Sequence, residues 1–142
     1  MNNPLPVFHF SVDWGGSRIG FTEVSGLAEE VSVIEYREGS SPSTAPIRIP
    51  GLKSPGSVTL RRGMSSGDNE LFAWFNIIGI GTVERRDVKV SLLDESHSPT
   101  MVWTLVNAWP VRLDASALDA GANKIAIESV VLTCEGIARQ TA

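Results

Sequence analysis

Apolar and polar residues alternate with a period of two along most of this chain. In the first such run, Phe8, Phe10 and Val12 alternate with His9 and Ser11, which is the pattern of a strand with one buried face. Similar runs, separated by turn residues, predict further strands at about 19–24, 31–36, 57–62, 83–93, 101–108 and 125–134, with a shorter candidate at 111–114. The chain is therefore predicted to be mainly β.

One segment has helical spacing instead. Four apolar residues fall at i, i+3, i+4 and i+7 and so share one face: Leu71, Trp74, Phe75 and Ile78. Asp68 is placed to act as the N-cap and Gly79 to end the helix. Phe72 adds an aromatic residue on a second face, so we expect this helix, at about 68–78, to be covered on more than one side. The elements together predict a single domain over residues 1–142, a β-barrel or sandwich with one α-helix.

The connection at about 39–56 is predicted to be an extended loop that forms an arm. It is too long for a tight hairpin turn, and loops of this size are often functional. Its apolar residues Ile47, Ile49 and Leu52 need cover, which an extended segment with few internal contacts can find on a second copy of the protein. The chain is therefore interpreted first as a building block of an assembly.

Composition narrows the class of protein further. The 142 residues can hold one core, and 42% apolar with 20% charged residues are ordinary values for a globular domain. A net charge of -4 argues against a surface whose main task is to grip nucleic acid. The lone Cys134 cannot form an internal disulfide and is expected to be buried. The N-terminus has no signal-peptide pattern, and no apolar run is long enough for a membrane helix, so we expect cytoplasmic synthesis without membrane insertion.

A nucleophile pattern is present at 63–67, where the sequence GMSSG matches Gly-x-Ser-x-Gly around Ser65. That motif works on a parallel sheet of alternating strands and helices, with an acid and a histidine later in the chain. Only one helix is predicted here, and the only later histidine, His97, lies in a polar turn. We interpret the motif as a loop that leads into the helix, and keep a small serine hydrolase using Ser65 as an alternative.

Metal and cofactor signals are weak. The densest group of possible metal ligands is Asp94, Glu95 and His97, which is also typical of a solvated hairpin turn. The run at 79–81 lacks the third glycine of a dinucleotide fingerprint. We therefore expect no catalytic residue, no metal and no cofactor, and a protein that is not an enzyme.

Eight segments in order along the chain carry a family resemblance: GFTEVSGL (20–27), IEYREG (34–39), PGLK (50–53), VTLRRG (58–63), LLDE (92–95), WTLVNAWP (103–110), NKIAIE (123–128) and EG (135–136). With these segments the chain resembles the contractile phage tail tube proteins, the family that also forms the inner tube of contractile injection systems. The resemblance spans nearly the whole chain.

The resemblance implies a structural subunit without a catalytic residue. It implies homohexameric rings, stacked into a hollow tube inside a contractile sheath protein, with baseplate and cap proteins at the ends and DNA or protein cargo in the lumen. The sequence does not separate a phage tail from an injection system. A baseplate-proximal tube initiator stays an alternative, as does a monomeric β-sandwich binding module.

Two sets of residues are predicted to act in such an assembly. Candidates for contacts between subunits are Tyr36, Arg37, Glu38, Ile47, Ile49, Pro50, Gly51, Leu52, Phe72 and Trp74. Candidates for a lumen surface are Glu84, Arg86, Lys89 and Glu128. For the second set a solvated outer face is an equal alternative, because charged residues are exposed by default.

Overall fold

The computed structural model of the chain describes residues 4–15, 20–79 and 81–142. The elements in these residues are β1 (Phe10–Asp13), β2 (Glu23–Ser25), β3 (Glu29–Tyr36), β4 (Ile47–Pro55), β5 (Val58–Gly63), α1 (Glu70–Asn76), β6 (Arg86–Leu93), β7 (Pro99–Ala115), β8 (Ile127–Thr133) and β9 (Gly136–Thr141). All strand pairs are antiparallel. The prediction of a mainly β fold with one helix is confirmed.

The strands form one seven-stranded sheet and one two-stranded ribbon. In the sheet the order is β1-β6-β7-β8-β5-β2, and β9 pairs with the first part of β7. The ribbon consists of β3 and β4. The strand predicted at about 19–24 begins outside the described residues, and the structure has β2 near its end. Strand β9 was not predicted.

The 17-residue strand β7 joins two halves of the sheet. Its first part pairs with β6 and β9, and its second part pairs with β8. Between them Asn107 has φ of 50°; its N–H donates to Asp87 Oδ1 at 2.9 Å, and its Nδ2 donates to Glu135 Oε2 at 2.7 Å. These hydrogen bonds stabilise the bend at which β7 passes from one half of the sheet to the other. The strands predicted separately at 101–108 and 111–114 are therefore parts of one strand.

The core lies between the two halves of the sheet and under the helix. Alternate residues of the central strands point inward, as the period-two pattern predicts. The buried apolar residues are Trp14, Phe21, Val58, Leu60, Leu71, Trp74, Val88, Val90, Leu105, Ala108, Val130, Leu132 and Cys134. Cys134 is buried as expected, and burial raises the pKa of its thiol.

Helix α1 is confirmed, but it is shorter than predicted. It has 7 residues, and the residue at the N-cap position is Asn69, which makes no side-chain capping hydrogen bond. Asp68 was predicted as the N-cap; its Oδ1 instead accepts hydrogen bonds from Glu70 N and from Arg62, both at 3.2 Å. Asp68 thus ties the start of the helix to the sheet.

The prediction of a loop over about 39–56 is wrong for its second half. Residues Ile47–Pro55 form β4, which pairs with β3 along its length. The connecting loop is confined to residues 37–46. Periodicity did not reveal this strand, because the ribbon has exposed residues on both faces and contains two prolines and a glycine.

Candidate assembly surfaces

The β3–β4 ribbon has one apolar face. Antiparallel pairing places Ile34 opposite Ile49 and Tyr36 opposite Ile47, and residues directly opposite each other point to the same side of a sheet. These four side chains, the apolar ribbon face, are 43 to 62% exposed. Tyr36, Ile47 and Ile49 were predicted separately as contact residues, and the structure brings them together. Ile34 was missed, although its alternation with Tyr36 was visible in the sequence.

The opposite face of the ribbon is mixed. Glu35 pairs with Arg48, and Val33 pairs with Pro50. The Arg48 Nε to Glu35 Oε1 distance is 3.7 Å, and both side chains are largely exposed, so this ion pair contributes little stability. Pro50 lacks an N–H, and a proline in a sheet belongs on an edge strand of this kind.

A bulge near the middle of the ribbon explains the glycine at position 51. The register shifts between Val31 and Val33, and Ser32 Oγ donates to the Leu52 carbonyl oxygen at 3.0 Å. A Cβ on Gly51 would lie 3.1 Å from the Ser32 carbonyl oxygen, a close approach that glycine permits. Leu52 itself is 83% exposed.

Arg37 and Glu38, predicted as contact residues, shape the loop at the tip of the ribbon. Arg37 Nε donates to the Ser43 carbonyl oxygen at 3.0 Å, and its NH2 group donates to the Ser41 carbonyl oxygen at 3.5 Å. The Glu38 carbonyl oxygen accepts a hydrogen bond from Ser41 N at 3.1 Å. The loop is therefore held by its own hydrogen bonds.

The helix presents a second exposed apolar surface. Phe72, Ile77 and nearby Met64 are exposed. Trp74, in contrast, is 2% exposed, and its Nε1 donates to the Glu84 carbonyl oxygen at 2.8 Å. The prediction that Trp74 contacts another subunit is contradicted by this burial, because Trp74 belongs to the core of its own chain.

A buried ion-pair cluster connects the helix to the sheet. Arg62 is 1% exposed; its Nε donates to Glu128 Oε1 at 2.6 Å, and its NH2 group donates to Asp68 Oδ1 at 3.2 Å. Its guanidinium carbon lies 5.5 Å from the ring centroids of both Trp14 and Phe21, within the range of cation–π attraction. The cluster fixes the loop before α1 against β5 and β8.

Three of the four lumen candidates are engaged within the chain. Glu128 is buried at 9% exposure against Arg62, which contradicts the expectation that it faces a lumen. Arg86 bonds Glu84 Oε1 at 3.3 Å, and its guanidinium carbon lies 4.8 Å from the Trp74 ring centroid. Arg86 therefore covers core aromatic residues, and Glu84 neutralises it.

Lys89 has a different position, on the outer face of β6. Its neighbours on that strand, Val88 and Val90, are buried, whereas Lys89 is exposed. In the ladder it lies opposite Asp13 of β1 and Thr104 of β7. The residues that lie opposite Lys89 on this side of the sheet are therefore polar.

The loop at 116–126 is a surface that the sequence analysis missed. Leu118 and Ile125 are among the most exposed large apolar residues of the described chain. Ser116 closes the loop, because its N–H donates to the Ile127 carbonyl oxygen at 2.8 Å and its Oγ accepts from Ile127 N at 3.0 Å. The sequence signal that could have revealed this surface is the presence of large apolar residues in a turn that is otherwise rich in Gly, Ala and Asn.

The residues considered for chemistry lie in loops and turns at the surface. Ser65 lies exposed between β5 and α1, and its carbonyl oxygen accepts a hydrogen bond from Asp68 N at 3.2 Å. The His97 ring packs against His9. Asp94 Oδ1 accepts hydrogen bonds from Ser96 N and Ser98 N, both at 2.9 Å, and so closes the β6–β7 hairpin. Among the described residues, no helix is long and apolar enough to cross a membrane.

Known proteins share both the sequence pattern and this fold. Residues 6–138 match the family model described as T4-like virus tail tube protein gp19. No curated protein matches the chain.

Three solved structures contain chains similar to this one. A chain of the anti-feeding prophage cap, the AFP tube terminating cap, has 31% identity and a TM-score of 0.90, and the match covers 100% of this chain and 94% of that one. A chain of the PVC sheath-tube complex of an extracellular contractile injection system, in the extended state, has 34% identity and a TM-score of 0.89, with 98% and 93% covered. A chain of the AFP baseplate has 25% identity and a TM-score of 0.85, with 99% and 97% covered.

Proposed function

The chain belongs to the family of the T4-like virus tail tube protein gp19, and from this membership we propose that it is the main subunit of the inner tube of a contractile injection system. In this proposal six copies form a ring, and rings stack into a hollow tube that guides cargo. The role is structural and involves no catalytic step.

The observation that carries the proposal is the apolar ribbon face. Ile34, Tyr36, Ile47 and Ile49 form one exposed patch on an element that leaves the body of the protein. Contiguous exposed apolar residues mark interaction sites. A neighbouring ring supplies the cover, and Phe72 and Leu52 extend the same contact in this proposal.

The free sheet edges support ring formation. Within the described part of the chain, strands β1, β2 and β9 each pair on one side only, so each presents unpaired backbone groups. Joining an edge of one copy to a different edge of the next is a heterologous contact, which closes into a ring when the rotation allows it. The outer face around Lys89 then lines the lumen, which suits the solvated passage of cargo because Lys89 and its ladder neighbours Asp13 and Thr104 are polar.

Similarity favours the tube body over the tube initiator. Identity is 34% with the chain of the sheath-tube complex and 25% with the chain of the baseplate. The similar chains come from structures of a sheath-tube complex, a cap and a baseplate. In this proposal the tube built from this chain is surrounded by a sheath protein, and cap and baseplate proteins bind the two ends of the tube.

Electron microscopy of the purified protein tests the proposal. Negative-stain images at increasing protein concentration are expected to show tubes of uniform width built from stacked rings. Isolated rings that never stack would favour the tube initiator. A monomer at every concentration in light scattering would contradict the proposal and favour a binding module.

A labelling experiment addresses the alternative hydrolase. A fluorophosphonate probe is expected to leave Ser65 unlabelled, with Ser65→Ala as the matched control. Labelling of the wild type that disappears in Ser65→Ala would contradict a purely structural role.

A further inference from the structure

The two histidines of the chain meet on its surface. The protein has two histidines in 142 residues, and the structure brings His9 and His97 together, 88 positions apart in sequence, with ring centroids 4.8 Å apart and ring planes at 69°. His97 is exposed and His9 is half-buried. Neither ring is among the buried core residues.

Backbone hydrogen bonds hold both residues in place. The His9 carbonyl oxygen accepts a hydrogen bond from Leu93 N at 2.8 Å, which extends the β1–β6 ladder by one residue. His97 N donates to the Asp94 carbonyl oxygen at 3.0 Å, and His97 has φ of 60°. A left-handed backbone at a residue other than glycine is uncommon and persists where the surroundings fix it. The hairpin therefore presents the His97 ring from a defined position.

We propose that His9 and His97 together bind one divalent transition-metal ion of the class that prefers imidazole, such as Zn²⁺, Ni²⁺ or Cu²⁺. Imidazole nitrogen is a favoured ligand for these ions. An ion held about 2.0–2.1 Å from one nitrogen of each ring in tetrahedral geometry sets the two centroids roughly 5 Å apart. The observed separation of 4.8 Å is close to this value.

The site offers two protein ligands, and water completes the coordination shell. Among the described residues, no group of three or more His, Cys, Asp and Glu side chains is arranged to hold an ion. Of the two acidic residues in the hairpin turn, Asp94 uses Oδ1 to close the turn. The proposed ion is therefore partly hydrated and exchangeable, and it clips the segment before β1 to the β6–β7 hairpin. This site is independent of the tube proposal.

Calorimetric titration of the purified, tag-free chain with Zn²⁺ tests the site. We expect saturable binding of one ion per chain, and weakening by about tenfold or more in His9→Ala and in His97→Asn, since even the loss of an outer-shell partner costs that much. Asparagine at position 97 tolerates the left-handed backbone, so this variant removes the ligand without disturbing the hairpin. Phe8→Ala is the matched control, because Phe8 contacts His9 at 4.5 Å between ring centroids without being a ligand, and it should leave the affinity unchanged.

A second measurement identifies the ligands directly. Paramagnetic Ni²⁺ is expected to broaden the imidazole signals of both histidines together in an NMR spectrum. The assignment is simple, because the sequence has two histidines and all imidazole signals come from them. Absence of saturable Zn²⁺ binding would overturn the proposal and leave edge-to-face packing as the reason for the contact. Binding that persists in the double variant His9→Ala/His97→Asn would also overturn it, because the ion would then sit elsewhere.

Discussion

Replacing the cross-strand pair Ile34 and Ile49 by serine is expected to abolish tube formation while leaving the subunit folded. The two side chains are 52% and 43% exposed in the subunit, so about half of each is left for a neighbouring copy to cover. Full burial of an isoleucine side chain is worth about 1.5–3 kcal/mol. The pair therefore contributes roughly 1.5–3 kcal/mol to each contact, which is a factor of roughly 10 to 150 in its equilibrium constant.

The effect multiplies in a ring, because every subunit carries the same substitution. Six weakened contacts acting together destabilise the stacking of one ring by roughly 9–18 kcal/mol. The folded subunit loses the half of each side chain that is already covered, which is worth about 1.5–3 kcal/mol by the same area argument. Assembly and folding are thus affected to very different degrees, and this difference makes the experiment decisive.

The assay compares sedimentable tubes with subunit stability. Tubes are counted by negative-stain microscopy after pelleting, and stability is measured by urea unfolding followed by circular dichroism. The matched control is Glu35→Gln with Arg48→Gln, the neighbouring pair on the opposite face of the same strands. Wild-type amounts of tube in the serine variant would refute the assignment of the apolar ribbon face, and equal loss in the control would refute the choice of face.

Three further predictions concern the subunit itself. Arg62→Ala is expected to lower the free energy of unfolding by about 3–5 kcal/mol in urea titrations, because Glu128 is left as a buried charge without its partner; a loss below about 1 kcal/mol would contradict a buried pair. Gly26→Ala should destabilise the protein clearly more than Gly67→Ala. Both glycines have positive φ, which costs alanine about 1–2 kcal/mol, but only at Gly26 would the Cβ clash with a backbone atom, the Ser57 carbonyl oxygen. Equal unfolding midpoints for the two would refute this reasoning. Since burial raises the pKa of the Cys134 thiol, a disulfide reagent should label it slowly at pH 8 and rapidly after urea is added; fast labelling of the folded protein would contradict its burial.

The parts of the fold that the sequence predicted are those in which one side of an element is buried. Strand β5 alternates buried Val58 and Leu60 with outward residues, and its period of two was readable for that reason. Helix α1 likewise has Leu71 and Trp74 on its buried side. A pattern of this kind arises because the core imposes it on every element that packs there.

The buried ion pair could not be predicted in the same way. Arg62 and Glu128 lie 66 positions apart, and no spacing rule connects residues on two different strands. Each is a charged residue on an otherwise alternating strand, and charged residues are exposed by default. The expectation that Glu128 faces a lumen followed that default, and only the three-dimensional pairing of β5 with β8 reveals Arg62 beside it.

The ribbon is the element whose stability depends most on contacts outside its own subunit. An isolated two-stranded hairpin is marginally stable in water, and this ribbon meets the body of the protein mainly near its base, where Ile137 N donates to Glu29 Oε1 at 3.3 Å. Its apolar face, and its two edges, which pair with no other strand among the residues that the structure describes, are an aggregation hazard in a monomer. A neighbouring ring that covers the apolar face removes this hazard and stabilises the ribbon in the same step. Assembly and ordering of the ribbon are therefore coupled in the proposed tube, which explains why the burial pattern of a strand is absent from a segment that nevertheless forms one.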